Sequence, residues 1–259
     1  MRRAGLVTGQ ILQEVCRAAV AGVTTRELDE LAREGIKKAG AKSSFLGYGG
    51  PGYPPYPAVI CASVNDRVVH GIPDDRPLAE GDLLSIDFGV EVDGWHGDSA
   101  RTVEIGLVAP ERAALNEATR TALWDGIAAL RVGGHVGDVG AAVQASLGRR
   151  FGIVREYTGH GIGTAMHMDP SVPNYGHRGR GARLSAGMCL AVEPIITAGR
   201  PAVAELDDEW TVVTRDGSVA AHWEHSVAIM DGGLCVLTAF DGGQAELADR
   251  GVRVVPLGE

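Results

Sequence analysis

The 259-residue sequence contains no run of lysine and arginine residues, and it has fewer basic residues than acidic ones. Lysine and arginine total 24 against 33 aspartates and glutamates, which gives a formal net charge of −9. Proteins that bind nucleic acids neutralise phosphates with clustered basic side chains. The sequence therefore argues against a nucleic-acid-binding surface, and we expect no direct contact with DNA or RNA.

Long apolar segments are also absent. No stretch approaches the roughly 20 apolar residues that cross a membrane. Met1-Arg2-Arg3 resembles the start of a secretion signal, but Gln10, Gln13 and Glu14 interrupt the apolar stretch that such a signal needs. We therefore expect a soluble protein with no membrane segment.

Closely spaced cysteines are missing as well. The four cysteines are Cys16, Cys61, Cys189 and Cys235. They lie far apart and form no C-x-x-C pair, a pattern typical of reduced thiols and not of a disulfide framework. This pattern predicts a cytoplasmic location.

The residues that are present predict an ordinary globular protein of α+β class. Hydrophobic residues make up 45% and charged residues 22% of the chain, enough for one large domain or two small ones. Helical periodicity covers residues 8–20, about 111–131 and about 138–150, and Thr24 with Glu27 has the pattern of a capping box that starts another helix. Strands are predicted over residues 58–64, 67–70, 83–92, 99–105, 190–197, 210–214 and 221–230, with a loop rich in Gly, Pro and Tyr at 43–57.

The two parts of the chain resemble each other. Residues 78–87 align with residues 184–193 at an offset of 106, and the two segments end on Asp87 and Glu193. A match this short could arise by chance, but a second one aligns Gly22 and Glu27 with Gly133 and Asp138 at an offset of 111. We predict a single catalytic domain over residues 1–259, built of similar halves at about 1–109 and 110–259 with a site between them.

Five side chains of the kinds that bind metals lie in short apolar or glycine-rich frames: Asp87, Asp98, His160, Glu193 and Glu224. A carboxylate in an apolar frame is costly to bury unless a cation or a proton neutralises it. Four carboxylates and one imidazole at one place would suit two divalent first-row metals that share bridging carboxylates. Manganese, iron, cobalt and zinc all accept such ligands, so the metal stays open.

Asp87 and Asp98 flank a predicted Asp93-Gly94 turn, which would bring their side chains together at one end of a hairpin. In an isolated hairpin, turn and edge aspartates would be the simpler interpretation. Asp87, however, follows the apolar segment 83–86 and is expected inside the sheet.

His160 lies in the glycine-rich segment 159–163. This segment lacks the last glycine of the G-x-G-x-x-G motif and the downstream acid of a dinucleotide site. A lone histidine in such a loop is more often structural, so its interpretation as a ligand depends on the four carboxylates. His167 does not fit a zinc-binding H-E-x-x-H helix and is a candidate base that faces the substrate.

Glu193 precedes Pro194 after an apolar strand and is expected to be buried. His222 and Glu224 should share one face of a strand, with His225 on the opposite face. We expect His222 and His225 to be exposed at the surface and predict neither as a metal ligand.

Taken in order, several of these motifs closely resemble those of the type I methionine aminopeptidases. The motifs are Val69-His70-Gly71-Ile72-Pro73, Asp87, Asp98, Gly159-His160-Gly161-Ile162-Gly163, Glu193-Pro194 and Glu224-His225. The resemblance covers about residues 9–235 and is specific because separate motifs match in a fixed order. It implies the "pita-bread" fold, an α+β domain with two pseudo-twofold-related halves around antiparallel sheet.

The resemblance also implies a centre of two divalent metal ions. Asp98, His160 and Glu193 would surround one ion and Asp87 the other, while Asp98 and Glu224 would bridge them.

Catalytic roles follow from the same resemblance. Glu193 would act as general base on the attacking water. His167 would stabilise the tetrahedral intermediate, and His70 would contact the substrate near the scissile bond.

The methionine pocket of this family is built from aromatic and sulfur-containing residues. By position, the candidates here are Phe45, Tyr48, Tyr53, Cys61, Met166 and Trp210. Phe45 replaces a smaller residue, Met166 stands where an aromatic is common, and the loop at 49–57, which includes Pro51, is longer than in the family. These departures put the depth of the pocket in question, and each aromatic could instead belong to the core.

The implied activity is removal of the N-terminal methionine from nascent proteins and peptides with a small second residue. The resemblance also implies that the protein is a monomer and that it meets its substrates at or near the ribosome. An X-Pro aminopeptidase or prolidase shares the fold but usually carries a further N-terminal domain. A non-catalytic binding member of the fold would lack metal ligands, whereas all five are present here.

Overall fold

The computed structural model describes residues 1–50 and 52–256. Pro51, part of the long loop noted above, lies outside the described residues. The helices are α1 (Arg2–Ala18), α2 (Thr25–Ala39), α3 (Pro110–Ala128), α4 (Val136–Leu147) and α5 (Gln244–Ala248). The strands are β1 (Lys42–Ser43), β2 (Ile60–Val64), β3 (Arg67–Val69), β4 (Leu83–Val92), β5 (Trp95–Glu104), β6 (Gly152–Ile153), β7 (Gly159–Gly161), β8 (Met168–Val172), β9 (Cys189–Val192), β10 (Ile195–Thr197), β11 (Val203–Glu205), β12 (Val212–Thr214), β13 (Ala220–His222), β14 (His225–Met230) and β15 (Gly233–Val236).

Helix α2 begins with the predicted capping box. The Thr24 side chain accepts a hydrogen bond from the Glu27 backbone N–H, and the Glu27 carboxylate accepts one from the Thr24 backbone N–H at 2.7 Å. The two bonds satisfy donors that a helix N-terminus otherwise leaves free.

Helix α1 begins at Arg2, earlier than the sequence periodicity predicts. The Arg2 guanidinium donates hydrogen bonds to the carbonyl oxygens of Val236, Leu237 and Ala239 at 2.8 to 3.0 Å. These long-range contacts order the first turn of the helix, and the local apolar pattern gives no sign of them.

Strands β4 and β5 form the predicted hairpin. Asp93 and Gly94 at its turn both have positive φ, +51° and +81°, as a tight two-residue turn requires. Strands β1 and β2 pair with β4, and the Leu83–Val92 strand is almost entirely buried. The hairpin therefore forms a rigid base for Asp87 and Asp98.

Two predicted strands of the second half are each divided in two. The segment predicted at 190–197 forms β9 and β10, and the segment predicted at 221–230 forms β13 and β14. Strand β9 pairs with β14 and β7, whereas β10 pairs with β13 and β6. The chain therefore passes from one sheet to another at both breaks. Pro194 contributes to the first break because it has no N–H for a ladder hydrogen bond.

The apolar core has two main clusters. One packs residues between Ala4 and Ile105, with Phe88 fully buried, and the other packs residues between Leu83 and Leu247. The boundary of the two halves at residue 109 stays a prediction.

Hydroxyl groups join the first hairpin to the second half of the chain. The backbone N–H of Asp98 donates to Ser226 Oγ at 3.0 Å, and that hydroxyl donates to the Asp98 carbonyl oxygen at 2.8 Å. Ser99 Oγ donates to the Glu224 carbonyl oxygen at 2.7 Å. In the described part of the chain, no helix has both the length and the apolar character to cross a bilayer.

Candidate active site

A cavity of about 330 Å³ contains all five predicted metal-binding residues. Its wall also includes His70 and His167, the two histidines assigned to catalysis by resemblance. Asp98, His160 and Glu224 each place one ligand atom within 4.8 Å of the others. The structure thus brings together residues that are far apart in the sequence.

Asp87 and Asp98 meet because of the register of the hairpin. Asp87 is opposite Ala100, and Asp98 is opposite Gly89, so the two carboxylates are diagonal neighbours on one face. Gly89 leaves room for them, since a Cβ there would lie 3.1 Å from Asp98 Oδ1. The pair lies in the middle of the hairpin, not at its end as predicted, because both strands extend past it to the turn.

Glu193 and Glu224 occupy the two strand breaks. The pairing of Val192 with His225 ends one ladder, and the pairing of Ile195 with His222 begins the next. The unpaired residues between them, 193–194 and 223–224, therefore lie opposite each other. The Glu224 backbone N–H donates to the Ala100 carbonyl oxygen at 2.9 Å, which holds this break against the first hairpin.

His160 owes its position to the glycines beside it. A Cβ at Gly159 would overlap the carbonyl oxygen of Ala191, and a Cβ at Gly161 would overlap that of Asp169. The imidazole Nδ1 lies 2.9 Å from the Gly161 carbonyl oxygen, so we assign the ring proton to Nδ1. Nε2 then offers its lone pair to the carboxylates, as metal-binding histidines do.

A first prediction tests this glycine frame. Gly161→Ala should destabilise the protein by about 1–3 kcal/mol, because a rigid backbone oxygen opposes the new methyl group, and should weaken the stabilisation that added divalent metal gives. Denaturant unfolding with and without metal measures both effects. Gly163→Ala is the matched control, since its nearest neighbour is the flexible Met168 Sδ at 3.1 Å. Equal effects of the two substitutions would contradict the proposed role of the Gly161 contact.

The cluster fits divalent cations on its own geometry. Among the described residues, Asp87 Oδ1, Asp98 Oδ1 and Glu224 Oε1 are buried and have no hydrogen-bond partner. His160 Nε2 lies 3.5 Å from Glu193 Oε1 and 3.9 Å from Asp98 Oδ2. These distances between nitrogen and oxygen are too long for strong hydrogen bonds. They suit ligand atoms that surround a shared cation, each at about 2.1 Å from it.

Burial sets the protonation of these groups in the absence of metal. It raises the pKa of Asp87 to about 7 and the pKa values of Asp98, Glu193 and Glu224 well above their usual range. For the last three, neighbouring carboxylates raise the pKa further. Burial lowers the pKa of His160. The site therefore favours added positive charge, which a proton or a metal ion supplies.

The expectation that His222 and His225 are exposed is wrong. Only 2% of His222 and 5% of His225 is accessible to solvent. His222 lines the cavity, and its Nε2 lies 3.8 Å from Glu193 Oε2 and has no hydrogen-bond partner among the described residues. His225 points away from the cavity, where Nδ1 lies 2.7 Å from Thr238 Oγ1 and the ring packs on Trp124. Packing on both faces of β13 and β14 buries the two residues.

Five of the six predicted pocket residues line the cavity, at its apolar end and at its mouth. Phe45, Cys61 and Met166 are buried together, and Trp210 packs against them. Tyr48 lies at the mouth beside His167. Tyr53 does not line this cavity. It is 53% exposed and packs against Trp210 from outside, with ring centroids 5.8 Å apart.

Tyr56 and Tyr157 also line the cavity, and neither was predicted. Tyr56 is buried, and its hydroxyl donates to the carbonyl oxygens of Ile60 and Gly71. Its position just before a buried strand was the one local signal. Tyr157 packs edge-on against His70 with ring centroids 5.2 Å apart. No pattern in the sequence places it there.

Known proteins resemble this chain over most of its length. The profile of metallopeptidase family M24 matches residues 1–231. Methionine aminopeptidase 1 of Mycobacterium tuberculosis (strain CDC 1551 / Oshkosh) is 51% identical over 246 residues, which cover 92% of this chain and 91% of that protein.

Solved structures agree with this relationship. The crystal structure of methionine aminopeptidase from Rickettsia prowazekii has a TM-score of 0.88 at 38% identity, with 92% of this chain and 95% of that chain covered. The prolidase from Pyrococcus furiosus has a TM-score of 0.71 at 19% identity, covering 92% of this chain and 62% of that chain, and so shows the fold alone. The predicted pita-bread fold is confirmed. The chain belongs to metallopeptidase family M24 and, within it, to the methionine aminopeptidases.

Proposed function

We propose that this protein removes the N-terminal methionine from polypeptides with a small second residue, by hydrolysis that depends on divalent metal. The observation that carries the proposal is the convergence of four carboxylates and His160 in one cavity, beside an apolar compartment. Family membership gives the reaction class, and the X-Pro alternative has only a shared fold in its favour.

We propose two metal ions. Asp98, His160 and Glu193 would hold one and Asp87 the other, with Asp98 and Glu224 shared between them. The unpaired oxygens of Asp87, Asp98 and Glu224 support this assignment. When bound, such ions activate water and polarise the scissile carbonyl group. Manganese, iron, cobalt or zinc would serve.

We propose that Glu193 transfers the proton during hydrolysis. Its side chain is 13% exposed and reaches the cavity from the strand break. Asn174 Nδ2 donates to the Glu193 carbonyl oxygen at 2.9 Å, which fixes the backbone beneath the carboxylate. We propose that this carboxylate accepts the proton of the attacking water and delivers it to the leaving amine.

We propose that His167 stabilises negative charge on the substrate. Tyr48 Oη lies 2.7 Å from His167 Nδ1, and the His167 ring lies 4.3 Å from the His160 ring, centroid to centroid. If the Tyr48 hydroxyl donates to Nδ1, then Nε2 carries the proton and becomes a donor to the developing oxyanion. His70, which also lines the cavity, has φ of +58°, which is uncommon for a residue with a side chain and typical of functional sites.

The Tyr48 contact yields a second prediction. Tyr48→Phe should lower kcat about tenfold and change KM little, because the ring remains while His167 loses the partner that fixes its tautomer. Steady-state kinetics on a Met-Ala-Ser peptide measure both constants. Tyr175→Phe, a substitution outside the cavity, is the control. A change in KM alone would mean that the hydroxyl binds the substrate instead.

The apolar end of the cavity fits a methionine side chain. Phe45, Tyr56, Cys61, Met166 and Trp210 supply aromatic and sulfur surfaces there. A thioether packs favourably against such groups, and no charged side chain has to be neutralised by the substrate at this end.

The direct test compares three peptides with the metal-loaded protein. Met-Ala-Ser should lose methionine, whereas Leu-Ala-Ser should react far more slowly and Ala-Pro-Ser not at all. Cleavage of Ala-Pro-Ser alone would assign the protein to X-Pro hydrolysis. Binding of metal without cleavage of any peptide would favour a binding role.

We further propose that the physiological substrates are nascent chains near the ribosome in the cytoplasm and that the protein acts as a monomer. The sequence resemblance supports these points, together with the wide spacing of the four cysteines along the chain.

A further inference from the structure

A second cavity of about 320 Å³ adjoins the catalytic one. The two cavities share Tyr48, His70, Tyr157 and Trp210 in their walls. The His70 ring centroid lies 5.2 Å from that of Tyr157 and 6.1 Å from that of Trp210. These three rings form a neck between the catalytic cavity and the outer cavity. Because the two cavities share these wall residues, a polypeptide with its first residue in the catalytic cavity would extend past the neck into the outer cavity.

The outer cavity is acidic. Glu205 and Glu209 line it, and Glu156 lines the catalytic cavity beside the neck. Burial and then the charge of Glu205 raise the pKa of Tyr157 to about 12, which agrees with a carboxylate close to the neck. Neither wall contains a lysine or an arginine among the described residues.

Arginines in the surrounding strands and loops have other partners. Arg67 pairs with Asp74 at 3.0 Å, and the Arg215 guanidinium donates to the Val203 carbonyl oxygen at 2.7 Å. The Arg155 guanidinium lies over the Tyr175 ring at 4.8 Å from its centroid. The carboxylates of the outer cavity are thus left available for a cation of another molecule.

Aromatic rings complete this cavity. Tyr53 packs against Trp210, and Trp210 Nε1 donates to the Pro54 carbonyl oxygen at 3.1 Å, so the loop and the indole hold each other in place. A long basic side chain suits such a wall, because its methylene groups pack on the rings while its charged end reaches the carboxylates.

We propose that the outer cavity binds a basic side chain at the third or fourth residue of the substrate. Glu205 and Glu209 would be its charge partners, and Tyr53 and Trp210 its apolar wall. An extended chain advances about 3.3 Å per residue, which places the Cα atoms of these residues roughly 7–10 Å beyond that of the first residue. The inference rests on the proposed function, because it extends the same substrate past its cleaved end.

The test uses the full chain loaded with Mn²⁺ and three peptides, Met-Ala-Lys-Lys, Met-Ala-Gln-Gln and Met-Ala-Glu-Glu. Each exposed ion pair changes affinity by about two- to fivefold. We therefore expect kcat/KM for the lysine peptide to exceed that for the glutamine peptide by about tenfold. The glutamate peptide should be the poorest, and 0.5 M NaCl should reduce the differences.

The double variant Glu205→Gln/Glu209→Gln should reduce the lysine-to-glutamine ratio to below about threefold. Glu14→Gln/Glu30→Gln changes the net charge equally on exposed helix positions and should leave the ratio as it is. An unchanged ratio in the first variant, or an equal fall in both, would overturn the inference. Cleavage of the three peptides at one rate would also overturn it while the proposed function stands. No cleavage of any peptide would refute the function itself.

Discussion

Glu193→Gln should lower kcat for methionine release by at least about a hundredfold. Positioned general bases contribute about 10² to 10⁴ in rate, and glutamine keeps the shape of the side chain but cannot accept the proton. The Asn174 bond to the Glu193 backbone does not depend on the side chain, so the fold around it should persist. Steady-state kinetics on Met-Ala-Ser, with metal content and Tm measured on the same sample, test this expectation.

Glu34→Gln, on an exposed face of α2, is the matched control for that substitution. It should behave like the original protein in rate and stability. If Glu193→Gln kept full metal content and more than a tenth of the rate, then Glu193 would not be the base. Loss of bound metal in parallel with rate would assign it a ligand role alone.

Metal removal should make the stability of the protein depend on pH above neutrality. Burial raises the pKa of Asp87 from 3.8 to about 7, and those of Asp98 and Glu224 rise as well. A carboxyl group whose pKa is higher in the folded than in the unfolded protein stabilises the folded state. This stabilisation is complete at pH values below the unfolded pKa, and it is lost as pH rises through the folded pKa. The metal-free protein should therefore lose stability as pH rises towards 7, where Asp87 gives up its proton, and above 7 for as long as Asp98 and Glu224 hold theirs.

The buried histidines do not obscure this window. Burial lowers the pKa of His70 to about 4 and that of His222 to about 3 from 6.5. Their stabilising contribution is lost only as pH falls below 6.5, so it is nearly complete at pH 7. Each proton that only the folded state retains throughout this window corresponds to about 1.4 kcal/mol per pH unit, and one such proton would lower Tm by roughly 4–8 °C.

Bound metal replaces those protons and should remove most of the decline. Thermal unfolding at pH 7.0 and 8.5, with and without Mn²⁺, measures the difference. Asp98→Asn should reduce the metal-dependent part, whereas Asp75→Asn at the exposed pair with Arg26 should not. Equal declines with and without metal would contradict a metal site built from these carboxylates.

Local patterns predict the hairpin of the site well. The apolar residues before Asp87 and the Asp93-Gly94 turn together specify a strand, a tight turn and a returning strand, and β4 and β5 follow them. Each of these features depends on residues close in sequence. The resemblance to a known family adds the order of the motifs, from which the activity follows.

Long-range pairing explains what the sequence does not predict. The breaks at Glu193 and Glu224 arise because β9 and β10 join different sheets, and only Pro194 signals this locally. His222 and His225 look like surface residues because they are polar, yet neighbouring elements bury both. Tyr56 faces inward while Tyr53 faces outward because backbone bonds of Tyr56 with Gly47 and Tyr48 fold the loop back on itself.

The most direct test of the proposed two-metal site is a metal titration of the stripped protein, followed by methionine release from Met-Ala-Ser. We expect no release without metal, and recovery that is complete near two equivalents of Mn²⁺ or Co²⁺. Methionine release at full rate by protein shown to be free of metal would contradict it.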